Sequence, residues 1–320
     1  MVDTLIIDGL SFALPLFVMA IGGIYSERSG ITNLAIEGLQ GFGAFFGALW
    51  AVVFSHFFNI PIQKLFYLAL FLAMVGGMLF SILHALLCIK FKANQVISGV
   101  VINILSMALT VFLTTQINSI VFGAMSDKFQ IGTSVRFSIP GLSQIPVLGG
   151  AFRNLYPFEI VILVIAILAA YILNKTKFGL RLRACGDNPH SVDAAGVEVS
   201  KVQFKAVLIS GALSGLGGIS FAYSISTNFS PAIYMGYGYL AIAALIFGNW
   251  NILPTLGACL LFGFARSGGY ILGQILKMPS TFSDLIMTLP YVLTLLLLIF
   301  FSKSNRAPRA LGEIYDKGKR

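Results

Sequence analysis

The stretch Ser210-Gly211-Ala212-Leu213-Ser214-Gly215-Leu216-Gly217-Gly218 decides between two very different folds. Its glycines resemble a nucleotide-binding loop, but the phosphate-loop pattern Gly-x-x-x-x-Gly-Lys-[Ser/Thr] requires a lysine that is missing here. The stretch also lies inside an apolar block, residues 202–224. Small residues in such a block let helix backbones approach closely in lipid, where the hydrophobic effect does not bring helices together. The stretch therefore predicts a closely packed membrane helix.

The rest of the chain has the composition of a membrane protein. Of its 320 residues, 57% are hydrophobic and 10% are charged, whereas about a quarter of the residues of a soluble domain are charged. The apolar residues form about nine blocks, each near the ~20 residues that a helix needs to cross the hydrocarbon core. We therefore predict an all-α fold, a polytopic transmembrane bundle of about eight to ten spans. The blocks are 4–25, 33–54, 65–89, 95–115, 157–174, 202–224, 234–249, 254–275 and 282–301.

Basic residues are unevenly shared between the connections of these blocks. The chain has a formal charge of +9, and Lys and Arg near span ends favour the cytoplasmic side. If 175–201 is cytoplasmic, strict alternation also places 303–320 inside, so the charge indicates orientation rather than a nucleic-acid partner. We predict a transmembrane domain over 1–302, an external loop at about 116–156 and a basic cytoplasmic tail over 303–320. With nine spans the N-terminus would lie outside, and a missed or re-entrant segment near 94–115 or 225–250 would reverse this placement.

The polar loop at about 175–200 contains a signal for a short helix. A basic strip from Lys175 to Arg183 leads to Asn188-Pro189, and the helix-capable stretch ends at Ala194-Ala195-Gly196. Asn caps a helix start, Pro suits the first turn and Gly suits the exit. Two interpretations stay open here: a docking element for a soluble partner, or a surface loop whose arginines meet anionic lipid headgroups.

Two polar side chains occur near the start of the second block. Asn33 and Glu37 are four residues apart, so we expect them on one face of the second helix. Ionisable groups inside a membrane normally face a bundle interior or a water-filled path. Glu37 is therefore a candidate for lining a conduit or for an ion pair with Arg28 or Arg266, and the ion pair is the preferred role.

Amide side chains occur at further positions in the apolar blocks. Asn94, Gln95 and Asn103 open and interrupt the fourth block, and Asn228 lies near the end of the sixth. Amides recognise hydroxyl groups and base edges, but they also cap helices and tie spans together. The three histidines and three cysteines have no metal-ligand or catalytic spacing. We therefore predict no catalytic residue, no metal site and no cofactor held by this chain.

Three motifs together resemble a known family. They are Ala20-Ile-Gly-Gly23, Ser26-Glu-Arg-Ser-Gly-Ile-Thr-Asn-Leu-Ala-Ile-Glu-Gly38 and Arg183-Ala-Cys-Gly-Asp-Asn-Pro-His-Ser-Val-Asp-Ala-Ala-Gly-Val197. The chain resembles the permease subunits of bacterial ABC importers for branched-chain amino acids, ribose and nucleosides, and is most similar to the nucleoside branch. In that family the 175–200 segment is the coupling loop, which docks onto the ATPase. The matching positions are Arg183, Gly186, Asp187, Asn188, Pro189, Ala194, Ala195 and Gly196.

The resemblance implies a multi-pass subunit of the bacterial inner membrane that is not itself an enzyme. It implies a second, longer permease, two cytoplasmic ATPase subunits that hold ATP and Mg²⁺, and an extracytoplasmic binding protein or lipoprotein. A nucleoside, with a purine preferred, is the expected substrate, and ribose or another sugar is the alternative. An ion-coupled secondary transporter would instead need a cluster of carboxylates at mid-span, where the sequence offers Glu37 and, near an end, Asp8. A non-transporting scaffold would not need the polar side chains in the spans.

Overall fold

The computed structural model describes residues 2–145, 148–231, 236–277, 279, 288–301 and 306–318. It is a helical bundle with a short antiparallel pair of strands, β1 (Phe129–Gln130) and β2 (Asn228–Phe229). The α-helices within these residues are α1 (Val2–Glu27), α2 (Ile36–Phe58), α3 (Phe66–Ala85), α4 (Gln95–Phe122), α5 (Pro157–Lys175), α6 (Lys177–Asp187), α7 (Pro189–Ala194), α8 (Val199–Phe221), α9 (Tyr237–Phe247), α10 (Ile252–Ile275) and α11 (Leu289–Phe301). Single π-helical turns extend α3 (Leu86–Lys90) and α8 (Ala222–Ser226).

Seven helical stretches of the described residues are long and apolar enough to cross a membrane. They are Val2–Glu27, Ile36–Phe58, Ile62–Lys90, Gln95–Phe122, Pro157–Lys175, Val199–Ser226 and Ile252–Ile275. These stretches confirm the predicted polytopic helical bundle.

The apolar block 234–249 forms a helix that is shorter than a span. Helix α9 has 11 residues, about 16 Å at the α-helical rise, which is roughly half of the ~30 Å hydrocarbon core. The block 234–249 thus yields a helix shorter than a span, whereas 94–115 belongs to a full-length helix that continues to Phe122. The polar connection after α4 therefore begins later than 116. The block 282–301 lies partly outside the described residues, and its described part is α11.

Helix α8 lies at the centre of the bundle and packs against α1, α2 and α3. Every residue from Ser210 to Phe221 is buried. A Cβ atom on Gly215 would overlap the backbone carbonyl oxygen of Ala73, and one on Gly218 would overlap that of Gln40. The prediction that these glycines serve close helix packing is confirmed.

Several connections meet at one end of the bundle, which we call the loop end. It comprises the turn 28–35, the helices α6 and α7, the turn 248–251 and the C-terminal tail 306–318. The Ala310 N–H donates to the Gly186 carbonyl at 2.8 Å, and the Gly312 N–H donates to the Gly30 carbonyl at 3.0 Å. The tail and the loop 175–200 therefore lie together, as the charge pattern predicts for segments on the same side of a membrane.

Candidate functional site

A cavity of about 200 Å³ opens where α2, α4 and α9 approach one another. We call it the amide cavity. Its polar lining residues are Glu37, Asn103, Ser106, Thr110 and Tyr239. Of the six residues predicted for a translocation path, Glu37 and Asn103 line this cavity.

Glu37 binds backbone amides. Its two carboxylate oxygens accept hydrogen bonds from the Gly236 and Gly238 N–H groups, each at 2.6 Å, and the Gln40 amide donates to it at 3.0 Å. These backbone donors belong to the start of α9, where the free N–H groups and the helix dipole favour a negative charge. The carboxylate therefore holds the start of the short helix against α2.

The predicted ion pair of Glu37 with Arg28 or Arg266 is wrong. The ion pairs among the described residues do not include Glu37. The Arg28 guanidinium instead donates to Asn251 Oδ1 at 2.9 Å, and the Arg266 guanidinium lies 4.6 Å from the centre of the Phe12 ring. The backbone N–H groups of α9 satisfy the half-buried Glu37 carboxylate, whereas the sequence reasoning expected an arginine to do so.

Asn103 joins three segments at the amide cavity. Its amide nitrogen donates to the Leu34 carbonyl and to the Tyr239 hydroxyl oxygen, both at 2.9 Å, and its amide oxygen accepts from the Gly38 N–H at 2.8 Å. The sequence reasoning missed Tyr239, which contacts Asn103 across 136 positions of the chain. Asn103 and Tyr239 thus present an amide and a phenol at one wall of the cavity.

The other predicted path residues have positions outside the lining of the amide cavity. Asn33 precedes α2, which begins at Ile36, so its expected place on a face of that helix is wrong; it is fully buried and donates to Ser210 Oγ at 2.8 Å. Asn94 caps α4 by accepting from two backbone N–H groups. The Gln95 amide oxygen accepts from the Thr32 N–H at 2.6 Å. Asn228 lies in β2.

A second polar cavity, of about 280 Å³, lies between α1, α10 and the π-helical turn after α8. Asp8, Ser224, Arg266, Ser267 and Tyr270 contribute its polar lining. The Ser224 and Ser267 hydroxyls are buried and have no hydrogen-bond partner among the described residues. Sequence reasoning considered Asp8 and Arg266 separately, because nothing in their spacing indicates that α1 and α10 pack together.

The loop 175–200 folds as two short helices joined at Asn188. The Asn188 side chain accepts from the Ser191 N–H at 3.0 Å, Pro189 occupies the first turn of α7, and Gly196 has φ +78° after its end. The predicted short capped helix is therefore confirmed. The basic strip before it forms α6, whose start is capped by Thr176.

Two of the proposed coupling residues are buried, and so is the neighbouring Cys185. A Cβ on Gly186 would overlap the carbonyl oxygen of Arg28, and Pro189 is buried as well. The Cys185 side chain is fully buried, and this burial raises the pKa of its thiol to about 11. Gly186 and Pro189 therefore shape the loop. The proposed coupling residues that are exposed are Asp187, Asn188, Ala194, Ala195 and Gly196.

Comparison with known proteins identifies the family. A family model described as "Branched-chain amino acid transport system / permease component" matches residues 5–301. The chain belongs to this permease family. It is 40% identical over 314 residues to the guanosine ABC transporter permease protein NupQ of Bacillus subtilis (strain 168), covering 97% of this chain and 96% of that protein.

Two further relatives of the permease extend this comparison. The nucleoside ABC transporter permease protein NupC of Lactococcus lactis subsp. cremoris (strain MG1363) is 38% identical over 312 residues, with 97% of this chain and 96% of that protein covered. The guanosine ABC transporter permease protein NupP of Bacillus subtilis (strain 168) is 27% identical over 312 residues, with 95% and 82% covered. No solved structure matches the permease.

The C-terminal tail of this permease also contacts the loop 175–200 through side chains. Lys317 Nζ lies 3.6 Å from an Asp193 carboxylate oxygen, and the His190 and Tyr315 rings lie 5.3 Å apart. The family motifs do not include the tail, and its basic composition gave no indication of these contacts. The tail therefore packs against the loop that contains α7, and a face of α7 remains accessible.

Proposed function

We propose that this permease imports a nucleoside, with a purine nucleoside preferred, as one membrane-spanning half of an ABC transporter. The observation that carries the proposal is its near full-length identity, 40% and 38%, to two proteins named as guanosine and nucleoside permeases. The permease itself performs transport, and ATP hydrolysis belongs to separate subunits.

The chemistry of the amide cavity supports a neutral ligand that forms hydrogen bonds. Asn103 supplies an amide, Tyr239 a phenol and aromatic ring, and Ser106 and Thr110 hydroxyl groups. The carboxylate oxygens of Glu37 already accept hydrogen bonds from Gly236, Gly238 and Gln40. A nucleoside presents hydroxyls, base edges and an aromatic face, which these groups complement without a counter-charge.

The size of the amide cavity supports a second permease subunit. Its volume of about 200 Å³ is below the range of ~300–1,000 Å³ that is typical of small-molecule sites. We infer that a second, longer permease completes the path, and the match of this chain to 82% of NupP, which is also named as a guanosine permease, supports such a pair.

The remaining subunits follow from the family and from the coupling loop. We propose two cytoplasmic ATPase subunits that bind ATP and Mg²⁺, and an extracytoplasmic binding protein or lipoprotein that delivers the substrate. The loop end, with the tail 306–318, then faces the cytoplasm of a bacterium, and the permease lies in the cytoplasmic membrane. Helix α7 docks onto an ATPase subunit and transmits its movement to the bundle.

During transport the bundle changes between two conformations. Closure of the ATPase subunits can favour one conformation only if their contacts with the permease differ between the two. Helix α6 connects α7 to α5, and the Gly186 carbonyl joins this unit to the tail. Movement of α7 therefore displaces a rigid unit rather than an isolated loop.

The substrate is tested by uptake of labelled guanosine, inosine and ribose in cells with and without this chain. Deletion should abolish nucleoside uptake and leave ribose uptake unchanged. Asn103→Ala should impair nucleoside uptake, because Asn103 lines the cavity. The matched control is Asn94→Ala on the same helix, which removes a cap and should leave transport in place. Loss of ribose uptake with nucleoside uptake unchanged would show that the substrate is a sugar.

The docking proposal is tested by co-purification of the ATPase subunits. Ala195 is exposed on the coupling loop and Ala124 is exposed in the connection after α4. Ala195→Arg should release the ATPase subunits while the permease still reaches the membrane, and Ala124→Arg should retain them. Equal retention by both variants would remove the docking role of this loop.

A further inference from the structure

A third cavity, of about 290 Å³, lies at the loop end and has an unusual concentration of positive charge. We call it the arginine pocket. It is lined by Arg28, Arg183, Arg306 and Arg309, together with Asp187, Trp250, Ala307 and Pro308. These residues come from the turn after α1, from α6, from the turn after α9 and from the tail. Four guanidinium groups from distant parts of the chain therefore surround one space with one carboxylate among them.

The arginines of this pocket lack carboxylate partners within the part of the chain that the structure describes. None of the four belongs to an ion pair closer than 4.0 Å. Arg28 donates to the Asn251 amide oxygen, and Arg183 donates to the Gly179 carbonyl at 3.3 Å. Each of these bonds uses a fraction of the five N–H donors of a guanidinium group. Most donors around the cavity remain available to a ligand.

The electrostatics of the arginine pocket favour an anion. Partial burial lowers the pKa of Arg28, the neighbouring charge of Arg183 lowers it further, and Asp187 opposes both effects. Like charges brought together at a half-buried position repel, and a bound anion relieves this repulsion. Planar guanidinium groups bind phosphate oxygens with two parallel hydrogen bonds, which gives a phosphate group the closest match to this lining.

We propose that the arginine pocket binds a phosphate group, carried by an anionic phospholipid or by a small soluble phosphate ester. The pocket lies where α1 ends and α10 begins, the level at which lipid phosphates meet a spanning bundle. The pocket also lies between α6 and the tail. A phosphate group bound there therefore holds together the two segments that lie next to α7. This proposal is independent of the identity of the transported substrate.

Trp250 provides a direct reporter of occupancy. It lines the pocket, and the chain contains two tryptophans, so Trp50→Phe leaves Trp250 as the sole tryptophan. The full-length protein is placed in phosphatidylcholine nanodiscs and titrated with inorganic phosphate or glycerol 3-phosphate at constant ionic strength. In a parallel series, phosphatidylglycerol replaces phosphatidylcholine stepwise. A saturable change in Trp250 emission reports binding, and the series in which it occurs identifies the carrier of the phosphate.

Charge-removing variants test whether the arginines are responsible. The double variant Arg306→Gln/Arg309→Gln removes two exposed tail side chains and should weaken binding by at least about tenfold. The double variant with Lys at both positions should retain most of it. Arg181→Gln removes an exposed cation of α6 that does not line the pocket, and it should bind like the parent protein. Unchanged Trp250 emission of the ligand-free variants verifies that the pocket is folded.

Two outcomes would overturn the proposal. One is the absence of a saturable response in both series. The other is an equal response from the parent and from the Arg306→Gln/Arg309→Gln variant.

Discussion

The contact between α2 and α3 offers a quantitative test of the close packing in this bundle. Gly47 on α2 faces the backbone of α3, and a Cβ at this position would lie 2.5 Å from the Ala69 carbonyl oxygen, 2.8 Å from Ala73 Cβ and 3.1 Å from the Ala73 nitrogen. None of these atoms belongs to a flexible side chain. The change Gly47→Ala therefore forces the two helices apart.

The size of the effect follows from these distances. Favourable contact between heavy atoms lies near ~3.5 Å, so α2 and α3 must separate locally by about 1 Å. Extra methyl groups in a well-packed core typically cost about 1–3 kcal/mol. The contacted atoms are backbone and Cβ atoms that cannot rotate away, so we expect a loss of about 3 kcal/mol in the free energy of unfolding.

Equilibrium unfolding in mixed micelles, titrated with a denaturing detergent, measures this loss. Gly257→Ala is the matched control, because Gly257 lies in α10 and a Cβ added there meets nothing within 4 Å. The control should unfold at the parental detergent fraction or slightly above it, since Ala favours helix over Gly by up to about 1 kcal/mol. If Gly47→Ala unfolds together with Gly257→Ala, the close approach of α2 and α3 is refuted.

Two further substitutions and one alkylation measurement test other parts of the structure. Glu37→Gln replaces the charged acceptor of the α9 amides, and we expect a loss of about 2 kcal/mol in stability together with reduced uptake. Trp250→Phe removes the indole N–H that donates to buried Glu27 at 2.5 Å, and we expect a similar loss of about 2 kcal/mol by detergent unfolding. Burial raises the pKa of the Cys185 thiol to about 11. Because the thiolate is the reactive form, its alkylation in the folded protein should be very slow near pH 7 and accelerate as pH approaches that pKa.

Each of these predictions has its own control. Glu198→Gln removes an exposed carboxylate and should change stability little, so an equal loss from both glutamate changes would contradict the role of Glu37. Trp50→Phe removes the other indole, and a loss equal to that of Trp250→Phe would show that ring volume, not the bond to Glu27, is responsible. Mass spectrometry of alkylated peptides assigns the reaction to Cys185. Rapid alkylation at neutral pH, at the rate of the detergent-unfolded protein, would show that Cys185 is accessible.

Local chemistry explains which features could be predicted from the sequence. The start and end of α7 depend on Asn188, Pro189 and Gly196, whose caps and turn preferences act within a few residues. The spans follow from apolar length, and the glycines of α8 follow from the need for close packing. These parts of the prediction are confirmed because each depends on neighbours in the chain.

The partners of the buried polar groups depend on tertiary structure and were harder to predict. Glu37 finds its donors at Gly236 and Gly238, about 200 residues further along the chain. An arginine is the obvious partner of a buried carboxylate, but the exposed amides at a helix start serve equally well. The short length of α9 was also hidden, since block 234–249 is as apolar as a span. In the structure the helix begins only after Gly236, whose φ of +98° is outside the helical range.

The hydrogen bonds of the tail determine when, during synthesis, the loop that carries α7 can be completed. Ala310 bonds to Gly186 and Gly312 bonds to Gly30, so residues 306–312 complete contacts with segments that are synthesised much earlier. A growing or prematurely terminated chain lacks both bonds, even when all its spanning helices are inserted. The loop that carries α7 is therefore completed only after residues 306–312 have been synthesised, long after the loop itself.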